Sequence, residues 1–360
     1  MYFYRSIDKS LKAPMNTKKK DIRSLNKEQL RDFFVKNGDK AFRGNQVYEW
    51  LWNKSLHTFE DMTNISLETR TMLQENFVIN HIEVDSMQRS KDGTIKNGIR
   101  LHDGLIVESV LIPTEKRTTA CVSSQVGCSL DCRFCATSRL KRMRNLNPDE
   151  IYDQVVAIDK QSQLYHNHRL TNIVFMGMGE PLMNYNNVIK SIDKITSPEG
   201  LGMSSKRITV STSGVPKIIK KMADDQVKFN LAVSLHSAID KVRTSIMPFN
   251  ETFPLHDLAE SLIYWYEKTQ RHVTYEYVVW DGINDKKEDI KALINFCKHI
   301  PCKVNLIEYN PIDDGEFQQA SSRAIDNYIS NLEMHDIVVN VRRSRGKDID
   351  AACGQLANKS

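Results

Sequence analysis

Residues 207–235 read RITVSTSGVPKIIKKMADDQVKFNLAVSL. A β-rich run (RITVST) gives way through a glycine to an amphipathic helical run (VPKIIKKMADD) and then to a second β-rich run (VKFNLAVSL). That succession is one strand, helix, strand unit of a parallel sheet. It repeats along the chain. Further strand candidates are TNIVFMG (171–177), VTYEYVVW (273–280), CKVNLIEYN (302–310) and IVVNVR (337–342). Between and before them lie the helical runs NPDEIYDQVVAIDKQ, with Pro148 in its first turn, LHDLAESLIYWYEKT, KKEDIKALINFCKHI and SRAIDNYISNLEMH. The expected fold is therefore α/β, with helices packed outside a parallel sheet. Six such strands are too few for a closed eight-stranded barrel, so an incomplete (β/α)6 barrel is expected. Its reactive residues should sit on loops at the C-terminal strand ends.

Upstream of this region the pattern changes twice. LNKEQLRDFFVKNG (25–38), RGNQVYEWLWNKSL (43–56) and SLETRTMLQENF (66–77) read as three helices, the first with an asparagine cap and a glycine stop. They make residues 21–80 a small all-helical accessory domain, with Trp50 and Trp52 expected in its core. Residues 81–120 carry alternating β-rich runs and Asp-Gly turn signals, expected as hairpins leading into the core at 121–360. Residues 1–20 lack the apolar run of a secretory signal and read as a disordered basic tail.

Composition narrows the classes. The 360-residue chain is 40% hydrophobic and 26% charged, with no run near the roughly 18 apolar residues of a membrane span. Net charge is +5, but the positive residues gather in TKKKD, SRLKRMRN, KIIKK and VRRSRGK, a distribution suited to a polyanion. Seven cysteines, at 121, 128, 132, 135, 297, 302 and 353, are odd in number and too sparse for a disulfide scaffold. Their clustering points to metal or redox chemistry in a reducing compartment, the cytoplasm.

Cys128, Cys132 and Cys135 form a CxxxCxxC loop, CSLDCRFC, with no second CxxC in the chain. Structural zinc and most iron–sulfur clusters use four protein ligands. Three thiolates on a four-iron cubane leave one iron open to bind and reduce a small molecule. A zinc ion completed by a distant histidine or cysteine is the plainer alternative. CxxxCxxC with an aromatic before its last cysteine, here Phe134, resembles the radical S-adenosylmethionine (SAM) superfamily. GMGEP (177–181), at the end of the first strand after the loop, resembles that superfamily's SAM site, where Glu180 would take the amino group.

The resemblance sharpens to the RlmN and Cfr family of radical-SAM RNA methylases. CVSSQVGCSLDCRFCAT, RNL, GMGEPLMN, ITVSTSG, LAVSLHS, EYNP and DIDAACGQL carry it from 121 to 356, and FRGNQVYEWLW resembles the family's accessory domain. It implies a radical-SAM partial barrel. It also implies one [4Fe-4S] cluster on Cys128, Cys132 and Cys135, and SAM, two per turnover, held by Gly179, Glu180, Ser211, Ser234, Leu235, His236 and Asn310. Without the resemblance, the serines are ordinary strand-end residues and His236 an ordinary structural histidine. One departure is visible: ATSRLKRMRNL (136–146) replaces the family's glycine-containing segment, and its Arg139, Lys141, Arg142 and Arg144 are candidates for phosphate contacts.

The implied chemistry needs two more thiols. Carbon 2 of adenine is electron-poor and does not attack a methyl donor, whereas a thiolate does. The resemblance makes Cys353 the methyl carrier. A 5′-deoxyadenosyl radical from the second SAM would take a hydrogen from S-methyl-Cys353, and the carbon radical would add to the base. Glu108 would accept the carbon-2 proton, and Cys121 would release the product by closing a transient disulfide with Cys353. The implied substrates are an adenosine in the peptidyl-transferase loop of 23S rRNA and the tRNA adenosine next to the anticodon, each unstacked to reach the site. A flavodoxin or ferredoxin would supply electrons to a monomeric enzyme. A Cfr-type carbon-8 methylase is the nearest alternative, and a noncatalytic metal-cluster RNA-binding protein is a more distant one. Cys297 and Cys302 are expected to be incidental buried cysteines.

Overall fold

The computed structural model describes residues 19–312 and 315–358, so the basic tail expected over 1–20 lies outside the described residues apart from Lys19 and Lys20. Two compact units divide at Asn80 and His81. In the first, α1 (Lys27–Lys36), α2 (Phe42–Trp52) and α3 (Leu67–Asn76) bury Leu30, Phe34, Val47, Leu51, Trp52, Met62 and Leu73. Asn26 and Gln29 form a reciprocal capping box that starts α1, and Gly38 with φ 77° follows its end. Trp52 is core, as expected. Trp50 is not: it is half-buried, its indole N–H donates to Asn64 at 2.5 Å, and the Lys54 ammonium lies 3.5 Å from the ring centroid.

The second unit is built on one ten-stranded sheet. In chain order its strands are β1 (Glu83–Arg89), β2 (Ile95–Arg100), β3 (Ile106–Pro113), β4 (Thr118–Cys121), β5 (Asn172–Phe175), β6 (Ile208–Thr212), β7 (Asn230–Ser234), β8 (Val273–Val278), β9 (Cys302–Ile307) and β10 (Val338–Arg342). They lie in sequence order across the sheet. β1 to β4 are antiparallel neighbours, and β4 to β10 are seven consecutive parallel strands. All six strands expected from the β/α alternation are present. The hairpin region forms β1 to β3 on the edge of the same sheet, and it ends in β4, which starts the parallel run.

The crossovers are α4 (Pro148–His166), α5 (Tyr185–Thr196), α6 (Pro216–Asp224), α7 (Asp240–Ile246) with α8 (Leu255–Thr269), α9 (Lys287–Cys297) and α10 (Ser322–Glu333). α5 and α7 were not among the helices expected from the sequence. Strand β8 shows how alternation separates core from site. Tyr275 and Tyr277 face outward, ring against ring with Phe296 of α9 and Tyr328 of α10, at centroid distances of 5.5 and 5.5 Å. Glu276, between them, faces the concave side and accepts from Asn305 at 2.8 Å. The sheet is curled: Arg342 at the end of edge strand β10 reaches Met176, just past β5, with Nη1 3.8 Å from Sδ.

Candidate active site

A cleft opens at the C-terminal ends of the parallel strands. It is lined by Phe134 and Cys135, by Met176, Gly177, Gly179 and Glu180 after β5, by Ser211 to Ser213, by Ser234 and His236, by Glu276, by Glu308 to Asn310, and by Cys353 and Gly354. The structure thus brings together Cys135, Cys353 and six of the seven residues to which the resemblance gives SAM contacts. Leu235 is the exception. Its side chain is fully buried, and its backbone ties it to the site: its N–H donates to the carbonyl of Glu276 at 3.0 Å, and its carbonyl accepts from Arg243 Nε at 3.1 Å.

Gly179 has φ 92°, and a Cβ there would lie 2.4 Å from Gln125 Cβ, so the backbone passes where no side chain fits. That turn presents Glu180. One Glu180 oxygen accepts from Leu182 N at 3.0 Å and the other from Ser213 N at 2.8 Å, while burial raises its pKa against these bonds. His236 occupies left-handed backbone at φ 56°. Its Nδ1 accepts from Val278 N at 3.1 Å, which leaves the ring proton on Nε2. Burial, with the Arg243 cation adding to it, lowers its pKa to about 3, so it is a neutral donor. Asn310 is 2% exposed; its Nδ2 donates to the Cys353 carbonyl at 3.2 Å, and its Oδ1 has no partner. A buried acceptor without a donor, in a cleft that also offers a carboxylate and an imidazole N–H, fits a ligand carrying amino groups such as SAM.

The cysteine loop is anchored by its own backbone. Cys135 N donates to Cys132 O at 3.1 Å, and Ser138 Oγ donates to the carbonyls of Cys132 and Cys135 at 2.6 and 2.7 Å. Phe134 stands edge-on to His236 at 4.8 Å and tilted against Trp280 at 5.1 Å, which ties the loop to the segments that follow β7 and β8. Burial pushes the Cys128 thiol up to about 11 and raises Cys132 and Cys135 as well. Among the described residues no group of three His, Cys, Asp or Glu converges on a single-ion site. Thiols that each take a different iron of a cubane have no need to converge on one point. Three free thiols within one loop pinned by its own hydrogen bonds fit a cluster, whose positive iron would stabilise the thiolates.

Cys353 arrives from the far end of the sequence. It is exposed and lines the cleft, and desolvation by the surrounding protein raises its thiol pKa. Its loop docks on the cysteine loop: Ala136 N donates to Gly354 O at 2.7 Å and Thr137 Oγ1 to Leu356 O at 2.6 Å. Cys121, at the end of β4, is 7% exposed, and burial together with the neighbouring Cys353 pushes it up to about 12. The two thiols are close enough to interact, and both are free.

Glu108 is not in the cleft. It is 2% exposed on β3, with Oε1 3.4 Å from Lys96 Nζ and Oε2 accepting from Ala357 N and Asn358 N at 2.8 and 3.1 Å. The segment that follows Cys353 therefore covers it. The basic segment after the cysteines is also only partly free for phosphate. Arg144 forms a two-pronged pair with buried Glu150 and a further pair with Asp103, which takes it out of the expected set. Sequence reasoning missed Glu276, Arg342 and Arg243. Charged residues inside β-rich or helical runs look like solvated positions until the curl of the sheet turns them inward.

Comparison with known proteins agrees with this geometry. Residues 20–79 match the ribosomal RNA large subunit methyltransferase N-terminal domain, and residues 122–297 match the radical SAM superfamily. The chain is 76% identical over 345 residues to a probable dual-specificity RNA methyltransferase RlmN of Flavobacterium johnsoniae, covering 96% of this chain and 99% of that protein. A dual-specificity RNA methyltransferase RlmN of Desulfotalea psychrophila is 40% identical over 348 residues, covering 95% and 96%. Among solved structures, a radical SAM methyltransferase from Sphaerobacter thermophilus superposes with a TM-score of 0.88 at 35% identity, over 94% of this chain and 99% of that one.

Proposed function

This chain belongs to the RlmN family of radical-SAM RNA methyltransferases, and from that premise we propose that it methylates carbon 2 of adenosine in 23S rRNA and in tRNA, with Cys353 as the methyl carrier. The observation that carries the proposal is the placement of Cys353. More than 200 residues beyond the cysteine loop, it stands in the same cleft as Gly179, Glu180, Ser211, Ser234, His236 and Asn310. A thiol there can take a methyl group from one bound SAM and present it to chemistry started from a second. A cluster held by Cys128, Cys132 and Cys135, together with SAM, supplies one-electron reduction and hydrogen abstraction. The protein's own residues do the rest. Glu180 and the free Oδ1 of Asn310 hold amino groups, and His236 donates from Nε2. Cys121, beside Cys353, closes the disulfide that frees the product. Glu108 accepts the carbon-2 proton once residues 357–358 release its carboxylate.

Phosphate contacts from exposed cations such as Lys141 and the helical unit's surface would hold RNA around the flipped base. A flavodoxin or ferredoxin serves as electron donor to a cytoplasmic monomer, and no helix of the described residues is long and apolar enough to cross a membrane.

The test is nucleoside mass spectrometry after anaerobic reconstitution, with SAM, dithionite and either a 23S rRNA fragment or tRNA. Wild type should give 2-methyladenosine on both RNAs, and Cys353→Ala none. Methylation at carbon 8, or a Cys353→Ala enzyme that still methylates, would overturn the proposal.

A further inference from the structure

Arg243 on α7 is fully buried. Its guanidinium donates Nε to Leu235 O at 3.1 Å, Nη1 to Asn250 Oδ1 at 2.6 Å, and Nη2 to Ser213 O at 2.6 Å and Ser234 O at 3.3 Å. All four acceptors are neutral. Three are backbone carbonyls at the C-terminal ends of β6 and β7, and Ser213 and Ser234 line the cleft. A planar fork that reaches three carbonyls on two neighbouring segments fixes their separation, which a lysine's single ammonium cannot do.

The same short helix holds the cysteine loop from its other end. Ile246 O accepts from Arg133 N at 3.0 Å, and Ser245 O accepts from Arg133 Nη1 at 3.0 Å. Arg133 sits next to Cys132 in the sequence, and Cys132 packs in one apolar cluster with Ile246 and Met247. An arginine stays a cation at any physiological pH. A buried cation with only neutral hydrogen-bond partners is costly to keep. The charge is met one hydrogen bond away by Asp240, whose Oδ1 accepts from Nδ2 of the same Asn250 at 2.9 Å. His236, on the cleft side, is kept neutral by the same burial.

We propose that Arg243 is a positioning residue that locks the SAM-contacting segments after β6 and β7 to the cluster loop through α7, and sets a fixed positive charge on the helix that packs against Cys132. The inference rests on the cofactor assignment above. Binding SAM and reducing it at a cluster require the two sites to keep one distance, and α7 is an element that touches both.

The experiment uses full-length protein reconstituted anaerobically, as wild type, Arg243→Lys and Arg243→Met. SAM affinity is read by equilibrium dialysis, the cluster's midpoint potential by an EPR-monitored redox titration, and folding by thermal melting. Arg243→Lys keeps the charge and loses the fork, so SAM should bind about tenfold more weakly while the potential stays at the wild-type value. Arg243→Met loses both, so the potential should also fall, because the reduced, more negative cluster has lost its neighbouring cation. Lower melting temperatures with SAM affinity and potential unchanged would reduce Arg243 to a structural residue and overturn the proposal. If Arg243→Met fails to load a cluster, the affinity of Arg243→Lys decides alone. A wild type that loads a cluster and binds no SAM would instead sink the cofactor assignment.

Discussion

Replacing Lys96 by methionine isolates the energetics of the covered carboxylate. Lys96 and Glu108 face each other at 3.4 Å across β2 and β3, with side chains 5% and 3% exposed. Glu108 cannot swing out to water, because Oε2 is held by the N–H groups of Ala357 and Asn358. Methionine fills the space of the lysine stem and leaves the carboxylate buried without its cation. Removing one partner of a buried pair costs roughly 3–5 kcal/mol. For a unit of about 280 residues, at about 2.1 cal/mol/K of unfolding entropy per residue, that is a fall in Tm of about 5–8 °C. Glu108→Gln alone cannot satisfy both sides, since an amide offers one oxygen and one NH2 group to donors on two flanks. In the double variant Lys96→Met, Glu108→Gln, the amide oxygen can face the two tail N–H groups with no buried charge left. Most of the loss should return, giving a coupling of about 2 kcal/mol or more in the cycle. Differential scanning calorimetry of the four proteins measures it. A Lys96→Met protein melting within about 1 °C of wild type, or a double variant no better than the sum of the singles, would refute the reasoning.

His236 gives a pH signature. Burial and Arg243 hold its folded pKa near 3 against an ordinary 6.5. Both states are neutral above pH 6.5, and below it the unfolded chain takes the proton first. Stability should therefore fall steadily from pH 6.5 towards 3. Urea midpoints of iron-free protein should show this slope flattened in His236→Gln. Gly179→Ala should abolish SAM binding in equilibrium dialysis while leaving a folded protein by circular dichroism, because the new methyl would collide with Gln125 at 2.4 Å in a turn that also requires φ 92°. Gly44→Ala should destabilise the helical unit by about 2 kcal/mol or more, since its Cβ would meet the Arg31 backbone at 2.5 Å and force α1 and α2 apart. Urea unfolding followed by tryptophan fluorescence tests it, because Trp50 and Trp52 both belong to α2.

Much of the parallel sheet was legible because its signals are local. Each of the six expected strands is a short apolar run bounded by turn residues, and each pairs with its neighbour in sequence order. Helix α7 was missed because its seven residues, DKVRTSI, show too few turns to establish a period. Trp50 was misplaced for a related reason: α2 puts Trp50 and Trp52 on different faces, and an apolar ring counts the same in a sequence whichever way it points.

The sequence by itself determined the residue types and spacings that chemistry demands: three thiols in CSLDCRFC, a glycine turn before Glu180, and a cysteine in AACGQL. These are covalent and near-neighbour properties, fixed by the order of the chain. Only the tertiary structure decided which distant groups meet. The curl of the sheet carries Arg342 from one edge across to Met176, and the C-terminal segment lays Cys353 against Asn310 while its next residues cover Glu108. It also turned Arg243 from one more charge on a short helix into a buried fork between two strand ends. Such meetings depend on how many strands the sheet has and how far it bends, and no window of sequence contains that sum.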